Sequence, residues 1–190
     1  ASVVIVYSIG LIQPGEFIAI RKVRSMEFGW AVIALFGVLI FGTLKGIVVA
    51  IIVSLIGLSS MAANPRVYVV ARKRGTDILR PLTTTNTDDE TFDGLLIVRP
   101  EGRLFFANAA SVIEQINALV SKHDPRVLAI DMSRVTDIEY SALQALMDGE
   151  KRATERGAVV WFAGLNPEVS KVAHLAGLGE RLGHDRLLPN

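Results

Sequence analysis

Cysteine is absent from all 190 residues. That excludes disulfide scaffolds, thiolate zinc sites and cysteine nucleophiles, and it says little about compartment. Histidine occurs only at His123, His174 and His184, with no paired spacing, so a histidine metal site has no support. An excess of one charge sign is also missing. The 20 Lys and Arg against 19 Asp and Glu leave a formal +1, which is no electrostatic footprint for nucleic acid. Charge is nearly missing from one stretch as well: between Phe28 and Ala63 the only charged residue is Lys45. A single globular domain does not segregate its charge in this way.

What stands in that stretch is hydrophobic on all sides, unlike an amphipathic surface helix. As one helix, Phe28–Ala63 would run roughly 54 Å at ~1.5 Å per residue, well beyond a ~30 Å hydrocarbon core. A break is therefore expected, and Gly42-Thr43-Leu44-Lys45-Gly46 supplies flexible glycines beside the lone charge. The reading is a helical hairpin with spans over about 27–44 and 46–63 and Lys45 at one membrane surface. Arg21-Lys22-Val23-Arg24 precedes it, and Arg66, Arg72-Lys73-Arg74 and Arg80 follow it. The positive-inside bias puts both flanks, and so residues 64–190, in the cytoplasm. Trp30 and Tyr68 suit the inner interface. Arg72-Lys73-Arg74 is expected at anionic headgroups. A buried hairpin of a large soluble protein is the competing reading, but the chain has little other apolar surface to cover it. Ala1–Ile12 is apolar too, stops at Gln13-Pro14-Gly15 and lacks a basic n-region. It is expected to be the end of a helix that begins earlier, which makes the chain a piece of something larger.

Residues 64–190 read as a cytoplasmic α/β domain. Val67–Ala71 is a short strand, and a turn-rich, apolar-poor stretch follows, with a mobile loop over about 82–93. Leu95–Arg99 and Arg103–Phe106 flank Pro100-Glu101-Gly102, a three-residue hairpin signal. Asn108 is expected to cap the next helix, whose stripe is Val112, Ile113, Ile116, Leu119 and Val120. Val127–Ile130 is a buried strand. A helix over about 141–156 buries Leu143, Leu146, Met147 and Ala153 before Gly157. After a strand over Ala158–Ala163, Asn166-Pro167-Glu168 opens a third helix that stops at Gly177. This alternation predicts a mixed sheet with helices against it, and a ligand or partner approach at the loops beyond the strand ends.

The loop Asp131–Ser141 is one of these. Asp131, Asp137 and Glu139 could together hold Mg²⁺, but no phosphate-cradling glycine loop accompanies them. Hydrogen bonds that shape the loop are the plainer role. Ser133 and Ser141 lack a nucleophile elbow, which leaves a hydrolase unsupported. Ser141 at a helix start is expected to cap that helix. Phe105-Phe106, an apolar pair ending a strand, is expected in the core.

Four patches resemble the end of SulP-type anion permeases, where the last membrane helices run into a STAS domain. They are Gly10-Leu11-Ile12-Gln13-Pro14, the glycine-broken Gly37–Ser54 hairpin, Leu104-Phe105-Phe106-Ala107-Asn108-Ala109, and Asp131-Met-Ser-Arg-Val-Thr-Asp-Ile-Glu-Tyr-Ser141. The resemblance implies a transmembrane helical hairpin followed by an α/β STAS-like domain, within a multi-pass plasma-membrane transporter for sulfate coupled to an ion such as H⁺. It implies no enzyme, cofactor or metal. The family's anion site lies between facing half-helices earlier in the chain, so no substrate-binding residue is expected here. The hairpin would serve as gate or scaffold among membrane lipid. The STAS domain would serve trafficking, homodimer contacts or a regulatory protein, through a loop of Asp131, Ser133, Asp137, Glu139, Tyr140 and Ser141. In STAS proteins that bind anti-sigma partners this loop reads roughly Asp-Ser-Ser-Gly. Here Tyr140 replaces the phosphorylated serine and Ala142 the glycine, which puts serine switching of the usual kind in doubt. A membrane-tethered STAS signalling adaptor without transport is the alternative reading.

Overall fold

The computed structural model describes residues 14–23 and 25–189. The expected helix remnant over 1–12, its stop at Gln13, and Arg24 of the basic flank lie outside the described residues. Two compact units divide the chain, Ala1–Ser60 and Met61–Asn190.

In the first unit, helix α1 spans Pro14–Val23 and α2 spans Ser25–Phe41; α3 runs Thr43–Ala63 and so ends just inside the second unit. The hairpin break is narrower than the expected Gly42–Gly46 stretch. Gly42 alone, at φ +79°, leaves the helical conformation, in a region glycine reaches without a Cβ clash. Lys45 and Gly46 are already helical, and Gly46 is buried. Its backbone sits against Val38, and Gly57 faces the indole of Trp30 so closely that neither position has room for a Cβ. Small residues at a helix contact allow this close approach. Helix α3 is long and apolar enough to cross a membrane, with hydropathy 2.3, and α2 is a shorter apolar helix. Leu39, Ile40, Leu44 and Ile56 stand exposed on the two helices, an outward face that water would not favour.

In the second unit, strands β1 (Val67–Arg72), β2 (Leu79–Pro81), β3 (Leu95–Pro100), β5 (Val127–Asp131), β7 (Val159–Leu165) and β8 (Leu187–Pro189) form one sheet. Its order is β2-β1-β3-β5-β7-β8, with β1 antiparallel to both neighbours and β3, β5, β7 and β8 parallel. Strands β4 (Gly102–Leu104) and β6 (Val135–Ile138) pair separately, in parallel. Helices α4 (Phe106–His123), α5 (Tyr140–Glu155), α6 (Pro167–Leu175) and α7 (Leu178–Leu182) complete it. Alternate strand residues Leu96, Val98, Leu128, Ile130, Val160 and Phe162 share one core with Val112, Ile116, Val120, Leu143 and Leu146. The mixed sheet with helices packed on it is the α/β arrangement read from the sequence.

The hairpin expected at Pro100-Glu101-Gly102 does not form. Gly102, at φ +91°, turns the chain away from β3, and its N–H donates to the Arg134 carbonyl, so β4 joins β6 instead. Of the expected caps, the one at Asn166 holds: its side chain accepts from the Val169 N–H at 2.9 Å. Asp124, in the left-handed region, closes α4. Arg72 and Arg74 both face Glu90, and Arg72 also lies over the Phe92 ring, so part of the basic run expected at headgroups is engaged within its own domain. Within the 82–93 stretch, Asp89 holds Arg80 at 2.6 Å, and that hydrogen bonding keeps the guanidinium above its ordinary pKa.

Candidate functional site

Asp131 ends strand β5 at the buried rim of the sheet. Arg99, on neighbouring β3, places Nη2 2.6 Å and Nε 2.8 Å from its Oδ2. The second oxygen, Oδ1, accepts from the Ser133 N–H at 2.9 Å and bends the chain into the loop. On the adjacent strand, Gly164 adopts φ +70°, and a Cβ there would crowd Asp131 Oδ1 at 3.2 Å and the Ser133 Cβ at 3.1 Å. Asp131 therefore works as a loop-shaping carboxylate.

Asp137 and Glu139 lie beyond it, around strand β6, and both meet Arg103. Arg103 Nε stands 3.0 Å from Asp137 Oδ2, and Nη2 stands 3.0 Å from Glu139 Oε1. Glu139 Oε2 also accepts from the Phe106 N–H at 3.4 Å, which ties the start of α4 to the start of α5. The three carboxylates are thus distributed over two arginines. Among the described residues no group of three or more His, Asp or Glu is placed to share an ion.

Ser133 is exposed in the turn, and Tyr140 and Ser141 are exposed on the first turn of α5. Ser141 does not cap that helix. The capping position is Glu139, with extended backbone and no side-chain cap, and Ser141 already lies inside the helix. Phe106 departs from its expected place in the core: it stands 75% exposed as the first residue of α4, with its ring edge-on to Phe105. A groove of about 530 Å³ runs from Phe106 between α4 and α5, past Ile113, Ser141 and Ala145, to Asp148 and Arg152.

Asn108, and Gln115, which the sequence reading did not single out, hold the segment joining α3 to β1. Asn108 is not the N-cap of α4, which is Phe105, but it supplies the returning half of that helix's capping box. It lies in the first turn, 1% exposed, where its Oδ1 accepts from the Phe105 N–H at 2.9 Å. Its Nδ2 donates to the carbonyls of Arg103 at 2.8 Å and Ala62 at 3.0 Å. Gln115, half-buried on the same helix, donates from Nε2 to the Pro65 carbonyl at 3.0 Å and accepts from the Val67 N–H at 3.3 Å. The available signal was a pair of amides about two turns apart, beside the apolar stripe of α4.

A family model described as the STAS domain matches residues 86–187. Sulfate transporter 1.3 of Arabidopsis thaliana is 26% identical over 197 residues, covering 98% of this chain and 30% of its own length. Low affinity sulfate transporter 3 of Stylosanthes hamata is 29% identical, covering 98% of this chain and 31% of its own length. The chain thus spans about a third of the length of these curated relatives. Among solved structures, the murine Solute Carrier 26 family member A9 anion transporter in the inward-facing state superposes with a TM-score of 0.79. It is 18% identical and covers 95% of this chain and 29% of its own, a likeness of fold. With the family model, the sheet order and the run of similarity through the hairpin agreeing, the chain belongs to the STAS domain family, in a sequence homologous along 98% of its length to sulfate transporters.

Proposed function

We propose that this chain is the part of a secondary active sulfate transporter that carries a gate or scaffold hairpin, α2 and α3, and a cytoplasmic STAS domain. The STAS domain is a regulatory or interaction module without catalytic activity, cofactor or metal. Its partner surface is the loop of Asp131, Ser133, Asp137, Glu139, Tyr140 and Ser141 with the neighbouring exposed Phe106, open to a regulatory protein or to a second copy of the chain. The hairpin lies in the plasma membrane, and the anion site belongs to other parts of the transporter.

One observation carries this reading: the similarity to sulfate transporters does not stop at the STAS domain but continues through the apolar hairpin. A signalling adaptor would need kinship in the STAS domain alone. The test is sulfate uptake by cells that lack their own, expressing the full-length protein with or without residues 64–190. Uptake by the intact protein, altered by the deletion, supports the proposal. A correctly inserted intact protein that takes up no sulfate rejects it.

A further inference from the structure

The segment between α3 and β1 is too well held to be a free linker. Ala62 belongs to the last turn of α3, where a helix offers its own carbonyls no N–H partner. Asn108 supplies one from Nδ2, at 3.0 Å. Pro65 has no N–H, so its carbonyl is its only backbone hydrogen-bonding group, and Gln115 Nε2 takes it at 3.0 Å. The Glu101 N–H donates to the Arg66 carbonyl at 3.2 Å, and the Val67 N–H returns to Gln115 Oε1. Both positions require a donor and an acceptor on one side chain. A carboxylate would set an oxygen against each carbonyl, and a hydrocarbon would leave these part-buried groups unpaired.

We propose that Asn108 and Gln115 are positioning residues, a two-point amide clamp that fastens residues 62–67 to α4. Residues 61–63, the part of α3 inside the second unit, are then held together with the start of the sheet. Helix α4 starts at Phe106, whose N–H meets Glu139 of the 131–141 loop. A partner that seats on the loop is thereby linked to the exit of α3 through the first turn of one helix. This last consequence rests on the transporter reading, whereas the clamp itself does not.

Hydrogen–deuterium exchange on the full-length protein in micelles tests the clamp, comparing the unmodified chain with Asn108→Asp and Gln115→Glu. Each variant keeps its side chain's shape and one acceptor oxygen and loses the donor. Peptides covering 61–67 are expected to exchange up to about tenfold faster in each variant, the scale of one lost part-buried hydrogen bond, with 95–100 and 127–131 unchanged. Unchanged exchange over 61–67 overturns the proposal. Faster exchange spread evenly over the sheet also overturns it, because the residues would then be general supports of the fold. Should Asn108→Asp fail to fold, the half-buried Gln115→Glu carries the test alone. Exchange needs no transport, so a protein that fails to take up sulfate sinks the transporter reading and leaves this result standing.

Discussion

Arg99 and Asp131 pair across two parallel strands, with Nη2 2.6 Å from Oδ2 and both side chains only 9% exposed. Removing one partner of such a pair leaves a buried charge uncompensated. Asp131→Asn is therefore expected to destabilise the STAS unit by about 3–5 kcal/mol, whereas Arg99→Met with Asp131→Leu recovers much of the loss. Denaturation followed by Trp161 fluorescence in a Trp30→Phe background measures both. Equal losses in the single and double variants would contradict the pairing.

The three carboxylates face arginines: Arg99 meets Asp131, and Arg103 meets Asp137 and Glu139. Calorimetric titration of the chain with Mg²⁺ is expected to give no binding heat, and chelation is expected to leave the unfolding midpoint unmoved. Saturable binding abolished by Asp131→Asn would favour a Mg²⁺ site at Asp131, Asp137 and Glu139 instead.

Asn166 serves two elements. Its Oδ1 caps α6 at the Val169 N–H, and its Nδ2 donates to the Val135 carbonyl of β6 at 2.8 Å. Asn166→Ser keeps a capping oxygen and drops the amide, an expected loss of about 1 kcal/mol. Asn166→Ala drops both, for about 2 kcal/mol. Urea unfolding of the two variants separates the contributions.

Within the hairpin, Gly57 lies under the Trp30 ring with no room for a side chain. Gly57→Ala should destabilise the α2–α3 contact by about 1–3 kcal/mol through overpacking, with Trp30→Leu relieving it. Thermal unfolding of the detergent-solubilised chain reads this, and an unaltered midpoint would argue against the contact.

Much of this was legible in the sequence because the signals were local. Asn166-Pro167-Glu168 marks a helix start by its own chemistry, and the apolar stripe of α4 marks its buried face. Phe28–Ala63 shows its character by having a single charge. The errors arose where tertiary partners decided the outcome. Pro100-Glu101-Gly102 has hairpin residues, yet the Arg134 carbonyl draws Gly102 toward β6. Strand β6 is short and partly polar, so Val135–Ile138 looked like loop until β4 was there to pair with it. Asn108 has the residue type of a cap, but its buried amide is taken by carbonyls at Ala62 and Arg103, and no local pattern announces such distant partners. The exposure of Tyr140 and Ser141 was equally out of reach, since exposure at a helix start depends on what that helix packs against.

The most direct test of the account is radiolabelled sulfate uptake into liposomes reconstituted with the purified full-length protein under an imposed ion gradient, of H⁺ or another coupling ion. The account predicts saturable uptake that collapses with the gradient. Intact, correctly oriented protein that accumulates no sulfate above protein-free liposomes would contradict it.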